Sequence, residues 1–278
     1  MTVRSRIAML AAEFLGTAVL ATVAINVSRS QIGIGYFVAI AVGATYALLV
    51  LMFGAVSGGH FNPAVTIGLW TLRKIQTLQA IAYLAVQMLA GLAAWQLADY
   101  FVGGETGLRS VAGNSFEWRV FVAEAIGTAV FAMAIAAAVF QNADGSKVDD
   151  GWFKSSRIAT VMGGGLFIGV IVASLASNAL LNPAIALANQ SWSLAYVVAP
   201  IVGSIIGMNL FVLLFAPSVS LLPARAAALK APAVDVSEPA KKTSTARVVS
   251  RSARTSNRST TRKTTAKRKT TTTSRKRK

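Results

Sequence analysis

The chain has 278 residues, of which 54% are hydrophobic, with no cysteine and a single histidine. That composition is too apolar for a soluble domain with a charged surface, and it excludes a disulfide framework, a thiolate metal site and a multi-histidine metal centre. The net charge of +17 is unevenly placed: residues 1–223 carry ten Lys/Arg against eight Asp/Glu, whereas residues 224–278 carry seventeen against two.

Six apolar stretches follow one another at about 7–27, 34–54, 78–102, 118–140, 158–176 and 193–216. Each is close to the ~20 residues a helix needs to cross a hydrocarbon core about 30 Å thick. The first follows Arg4 and Arg6 as a signal peptide would, but it is too long for a typical signal core, contains Glu13, and precedes five more spans. If the spans alternate, Arg4, Arg6, Arg73, Lys74, Lys147, Lys154, Arg157 and the basic tail share one side, and Arg29, Arg109 and Arg119 share the other. The excess of positive charge then places both termini in the cytoplasm.

Residues 12–20, AEFLGTAVL, return as AEAIGTAVF at 123–131. Each copy opens a group of three spans, so the second group enters the membrane inverted. Inverted repeats, here about 7–102 and 118–216, are a recurrent transport architecture with the pathway at their interface. Two shorter apolar segments stand outside the six-span count: SGGHFNPAVTIGLW at 57–70 and SNALLNPAIALANQ at 177–190. Each contains Asn-Pro-Ala, as Asn62-Pro63-Ala64 and Asn182-Pro183-Ala184. About eight helical residues after each proline reach ~12 Å, less than half the membrane. Proline suits the first helical position, asparagine is a preferred N-cap, and alanine lets two helix ends approach. The inversion makes the two helix starts face each other, where the Asn62 and Asn182 amides donate to a molecule between them. The predicted fold is therefore an all-α membrane protein with six transmembrane helices and two re-entrant half-helices in an inverted repeat.

Irregular backbone at membrane depth must be buried or line a wet cavity. Gly58, Gly59 and His60 in one half, and Asn178, Ala179 and Leu180 in the other, are expected to present carbonyls as a ladder of acceptors. Two acids, Glu13 and Glu124, sit at equivalent places inside apolar spans, where an ionisable residue is costly and a functional candidate. They offer either support for the pore loops or a proton route. His60 reads either as a cytoplasmic pH sensor or as a neutral residue that shapes its loop. Gly203 and Gly207, and Gly163, Gly164, Gly165 and Gly169, read as close helix-packing positions.

The SGGHFNPAV segment, the paired Asn-Pro-Ala motifs, the repeated AE-x-x-GT, Gln87 and PIVGSIIG at 200–207 resemble the aquaporins and glycerol facilitators over about residues 7–216. The resemblance implies a passive channel for water and small neutral solutes, assembled as a homotetramer in the plasma membrane, without enzymatic activity, metal or cofactor. It also implies that Glu13 and Glu124 accept hydrogen bonds from pore-loop N–H groups. The filter positions it implies are Val42, Val170, Ala179 and Ile185. Ile185 stands where the family usually has arginine, and Ala186 where glycerol facilitators usually have aspartate. Loss of the arginine removes five donors and a fixed charge. The expected filter is wide and apolar, passing ammonia, hydrogen peroxide, small amides and small polyols as well as water. The opposing expectation is that another side chain fills the gap or that the apolar ring dewets.

The tail, 224–278, is rich in Ser, Thr, Lys and Arg, too polar to bury a core. It suits anionic lipid at roughly 1 kcal/mol per basic residue near the surface better than nucleic acid, since it lacks interleaved aromatics. The competing reading of the whole chain is a poorly conducting anchor or junction protein that works through this tail.

Overall fold

The computed structural model describes residues 2–29, 35–102, 116–141 and 151–215. The chain divides into two units, Met1–Leu221 and Leu222–Lys278. The basic tail lies outside the described residues.

The described residues form eight helices: α1 (Val3–Arg29), α2 (Gly35–Ser57), α3 (Pro63–Thr71), α4 (Thr77–Phe101), α5 (Trp118–Gln141), α6 (Gly151–Ala173), α7 (Pro183–Ala188) and α8 (Leu194–Phe215). Six of them are long and apolar enough to cross a membrane, and they fall on the six predicted stretches. The predicted bounds err mainly at polar ends. The first helix starts at Val3 rather than residue 7, because the Thr2 hydroxyl oxygen accepts from the Ser5 N–H at 3.2 Å and closes the first turn, as an N-cap does. The second continues through Ser57, delivering the chain directly into the first pore loop.

The half-helices α3 and α7 have nine and six residues, against about eight expected for each. Both begin alike. Asn62 and Asn182 are extended N-caps whose side-chain oxygens accept from the Ala64 and Ala184 N–H groups at 2.8 and 2.9 Å. Pro63 and Pro183 occupy the first helical positions. Both also end alike, on a residue in the left-handed region, Arg73 (φ 56°) and Gln190 (φ 54°). The N–H of the following residue then bonds back to Leu69 O and Ala186 O at 2.9 Å in each case, a closing pattern that leaves no room for another turn. The second closure comes earlier, so α7 is shorter.

The two halves interlock. Helix α3 packs against α4 of its own half and α8 of the other, and α7 packs against α4, α1 and α8. Helices α2 and α6 cross where Gly43 and Gly163 abut: a Cβ on Gly163 would lie 2.6 Å from the Gly43 carbonyl oxygen. Helices α5 and α8 meet as closely, since Cβ atoms on Gly203 and Gly207 would strike the Ala125 and Ala129 backbone carbonyls. This bears out the small-residue reading for those two positions and for Gly163, Gly165 and Gly169. Gly164 departs from it, because a Cβ there meets nothing within 4 Å. Large apolar side chains such as Leu48, Met52, Leu78, Ile81 and Leu213 are exposed on the outside, as a surface facing lipid requires.

Candidate functional site

The amino ends of α3 and α7 meet in the interior. The Asn62 side-chain NH₂ donates to the Leu181 carbonyl at 2.9 Å, and the Asn182 NH₂ donates to the Phe61 carbonyl at 3.0 Å. Each amide has two hydrogens, so one is used in tying the opposite loop and one remains. The sequence reading assigned both amides to a passing molecule. The structure shows that half of this donor capacity first locks the two loops together.

The extended segments before the two motifs follow one plan. Phe61 (φ 47°), Ala179 (φ 52°) and Leu181 (φ 51°), with Gly58 and Gly59, lie in the left-handed region. Such backbone costs of order 1–3 kcal/mol per non-glycine residue and persists only where surroundings enforce it. The two intramembrane acids do so. Glu13 accepts from Ser57 Oγ at 2.7 Å and His60 N at 3.0 Å on Oε1, and from Phe61 N at 2.7 Å and Gln87 Nε2 at 2.8 Å on Oε2. Glu124 accepts from Ser177 Oγ at 2.8 Å and Leu180 N at 3.0 Å on Oε1, and from Leu181 N at 2.8 Å on Oε2. Ser57 and Ser177 relay the support, accepting from Gly59 N at 3.1 Å and Ala179 N at 3.0 Å. Both glutamates and Gln87 are fully buried. An unpaired acid there would be costly, and these donors offset that cost.

His60 is buried, with Nδ1 3.1 Å from Thr66 Oγ1 and its ring edge-on to Tyr83 at 5.2 Å. Thr66 Oγ1 in turn accepts from Gln87 Nε2 at 3.0 Å. The histidine is therefore built into the network that carries the first loop.

Four predicted filter residues, Val42, Val170, Ala179 and Ile185, converge on one partly open cavity together with Asn62, Asn182 and the Asn178-Ala179-Leu180 segment. The cavity offers ≈ 20 Å³ of space to water centres, enough for one or two waters. Among the described residues none donates to the carbonyls of Asn178, Ala179 or Leu180, so the second loop keeps its acceptors. The first loop differs. The Tyr46 hydroxyl donates to Gly59 O at 2.9 Å and lies 3.2 Å from His60 O. Tyr46 lines the same cavity and was absent from the sequence-derived site. Its signal was present: it lies four residues after Val42, hence on the same helical face, and is a hydroxyl within an apolar span.

The motif that starts each half-helix, its reciprocal tie and the buried glutamate beneath it recur in both halves. A sequence profile described as "Major intrinsic protein" matches residues 2–115 and 110–249. The chain belongs to the major intrinsic protein family. It is a passive membrane channel of the water and small-solute type, not an enzyme. Aquaporin Z of Photorhabdus laumondii is 30% identical over 230 residues, covering 74% of this chain and 97% of that protein. Human aquaporin-4 is 30% identical over 188 residues, covering 64% of this chain and 55% of that protein. The X-ray structure of the aquaglyceroporin from Plasmodium falciparum aligns over 74% of this chain and 95% of its own at a TM-score of 0.57 and 21% identity; this likeness speaks to fold. As a major intrinsic protein, the chain is an integral membrane protein.

Proposed function

We propose that residues 1–223 form a conduit for water and small neutral solutes, with Asn62 and Asn182 as its central donors and Val42, Val170, Ala179 and Ile185 as an apolar filter. The reading rests on one observation above the rest: each asparagine keeps one N–H after its cross-loop bond, beside a cavity with room for one or two waters. A water that accepts from those donors turns its oxygen toward them and cannot relay a proton along the file. Glu13 and Glu124 hold the loops, and the carbonyls of Asn178, Ala179 and Leu180 supply acceptors on one wall, with Gly58 and whatever acceptor capacity the Tyr46 hydroxyl leaves on Gly59 and His60.

Beside the filter the opposite wall is apolar, so a hydroxyl that reaches it loses a hydrogen bond at about 1–3 kcal/mol. Water, ammonia and hydrogen peroxide therefore pass ahead of small polyols. We place this unit in the plasma membrane as a homotetramer, with both termini in the cytoplasm as the loop charges support. The test is stopped-flow light scattering on proteoliposomes with water, ammonia, hydrogen peroxide and glycerol, repeated with Ile185→Arg. The variant inserts a cation among apolar neighbours and is expected to lower all four rates. Water flux no faster than in protein-free vesicles sinks the proposal.

The charge of residues 224–278 favours a second reading, an anchor whose tail adheres to anionic lipid. Truncation before residue 224 separates the two. Unchanged water flux supports the channel; absent flux in both forms, with lipid binding lost only on truncation, supports the anchor.

A further inference from the structure

The first and second pore loops match in their serines, their left-handed residues and their asparagines, yet they differ in what reaches them from the crossing helices. The residue of α6 that precedes Asn182 by as many positions as Tyr46 precedes Asn62 is Leu166. Both line the cavity. Leu166 brings no hydrogen bond to the second loop, whose Asn178, Ala179 and Leu180 carbonyls have no donor among the described residues. Tyr46 reaches the first loop with its hydroxyl, 2.9 Å from Gly59 O and 3.2 Å from His60 O.

Tyr46 is also held on both faces. Its ring stands edge-on to Phe131 at 5.3 Å and to Phe61 at 5.9 Å, and the residue is fully buried. Phe131 lines the cavity as well. A hydroxyl fixed at one end and a ring wedged between two others leave Tyr46 no alternative rotamer without breaking packing on three sides. It lies one helical turn beyond Val42 and lines the same cavity as the filter residues and the two asparagines. The filter's own side chains are valines, an alanine and an isoleucine, and each is shorter than a tyrosine.

We propose that Tyr46 is the size-determining residue of this channel: its clamped ring sets the narrowest width of the cavity it shares with the filter and the two asparagines, and the filter does not. The inference rests on the conduit reading above and names the residue that limits what that conduit passes.

The test is the glycerol-to-water permeability ratio in proteoliposomes for wild type, Tyr46→Val, Tyr46→Cys and Ile185→Ala. Tyr46→Val is expected to raise the ratio roughly tenfold and Ile185→Ala by about twofold or less, since opening a wider station leaves the narrow one in control. The chain has no cysteine of its own, so a small methanethiosulfonate reagent acts on Tyr46→Cys alone and should return its ratio toward wild type. A tenfold rise for Ile185→Ala, or no rise for folded Tyr46→Val, overturns the proposal while leaving the channel reading intact. If neither Tyr46 variant folds, Ile185→Ala decides, because a large rise there places the narrow point at the filter and a small one places it away from the filter. Wild-type water flux equal to that of protein-free vesicles removes both readings together.

Discussion

Replacing Glu13 with glutamine changes one atom of the carboxylate and exchanges an acceptor for a donor. The consequence follows from what that carboxylate holds. Its four partners are the Ser57 hydroxyl, the Gln87 amide and the backbone N–H groups of His60 and Phe61, with one of those N–H groups on each oxygen. The hydroxyl and the side-chain amide can turn to meet a new donor. The two N–H groups cannot, because they are fixed by a loop with left-handed residues on either side of His60. Whichever way the glutamine amide points, one buried N–H faces an NH₂ group and is orphaned, at about 1–3 kcal/mol. The bonds that survive lose charge assistance, about 1 kcal/mol each. The total of roughly 3–5 kcal/mol is a large share of the 5–15 kcal/mol that keeps a typical protein folded. Thermal unfolding in detergent, followed by tryptophan fluorescence, should show a markedly lower midpoint. Proteoliposomes made from the surviving protein should pass less water, and a trapped pH dye should report no proton current. A variant as stable and as permeable as wild type would refute the supporting role, and a new proton current would show that Glu13 guards a proton path instead.

Asn62→Ala removes both the cap on Ala64 and the tie to Leu181 O. A lost N-cap at about 0.5–2 kcal/mol and a stranded buried carbonyl at about 1–3 kcal/mol predict a clear loss of stability, with slower water flux and a rising cation leak measured by membrane-potential dye. Gly203→Ala drives a methyl into the Ala125 carbonyl and should destabilise by at least the ~1–3 kcal/mol typical of overpacking. Gly164→Ala, with open space at its Cβ, should instead match wild type or gain up to about 1 kcal/mol of helix propensity; paired melting curves of the two variants check both.

The elements legible in the sequence are those whose signal is local. A run of apolar residues long enough to span, an asparagine before a proline and a repeated AE-x-x-GT each state a physical requirement within a few residues. They were enough to place six spans and two helix starts. What escaped depends on residues far apart in the chain. The Asn62 amide is bound to Leu181 O, more than a hundred residues away, so its divided donor capacity has no local mark. The acceptors of Gly59 and His60 look identical in sequence to those of the second loop. Only the arrangement of α2 shows that a tyrosine hydroxyl meets them. Gly164 reads like its neighbours Gly163 and Gly165, and differs because the helix turns it away from both α2, which Gly163 meets, and α5, which Gly165 meets.

The same distinction bears on why the two halves have diverged where they have. The parts that fix the loops recur in both: serine relay, glutamate, left-handed residue, capping asparagine. Each answers a backbone demand that the inverted geometry imposes twice, so neither copy can drop it without stranding buried N–H groups. Apart from Tyr46, the cavity wall carries no such demand. A leucine stands in α6 at the position matching the α2 tyrosine, and Ile185 of α7 lines the cavity with them. Selectivity is therefore free to vary along the wall while the scaffold stays constrained. It follows that substitutions at Val42, Val170 or Ile185 should alter which solutes pass at less cost in stability than at Tyr46, whose hydroxyl and ring are tied to the first loop. Substitutions at Ser57, Glu13, Ser177 or Glu124 should cost stability first.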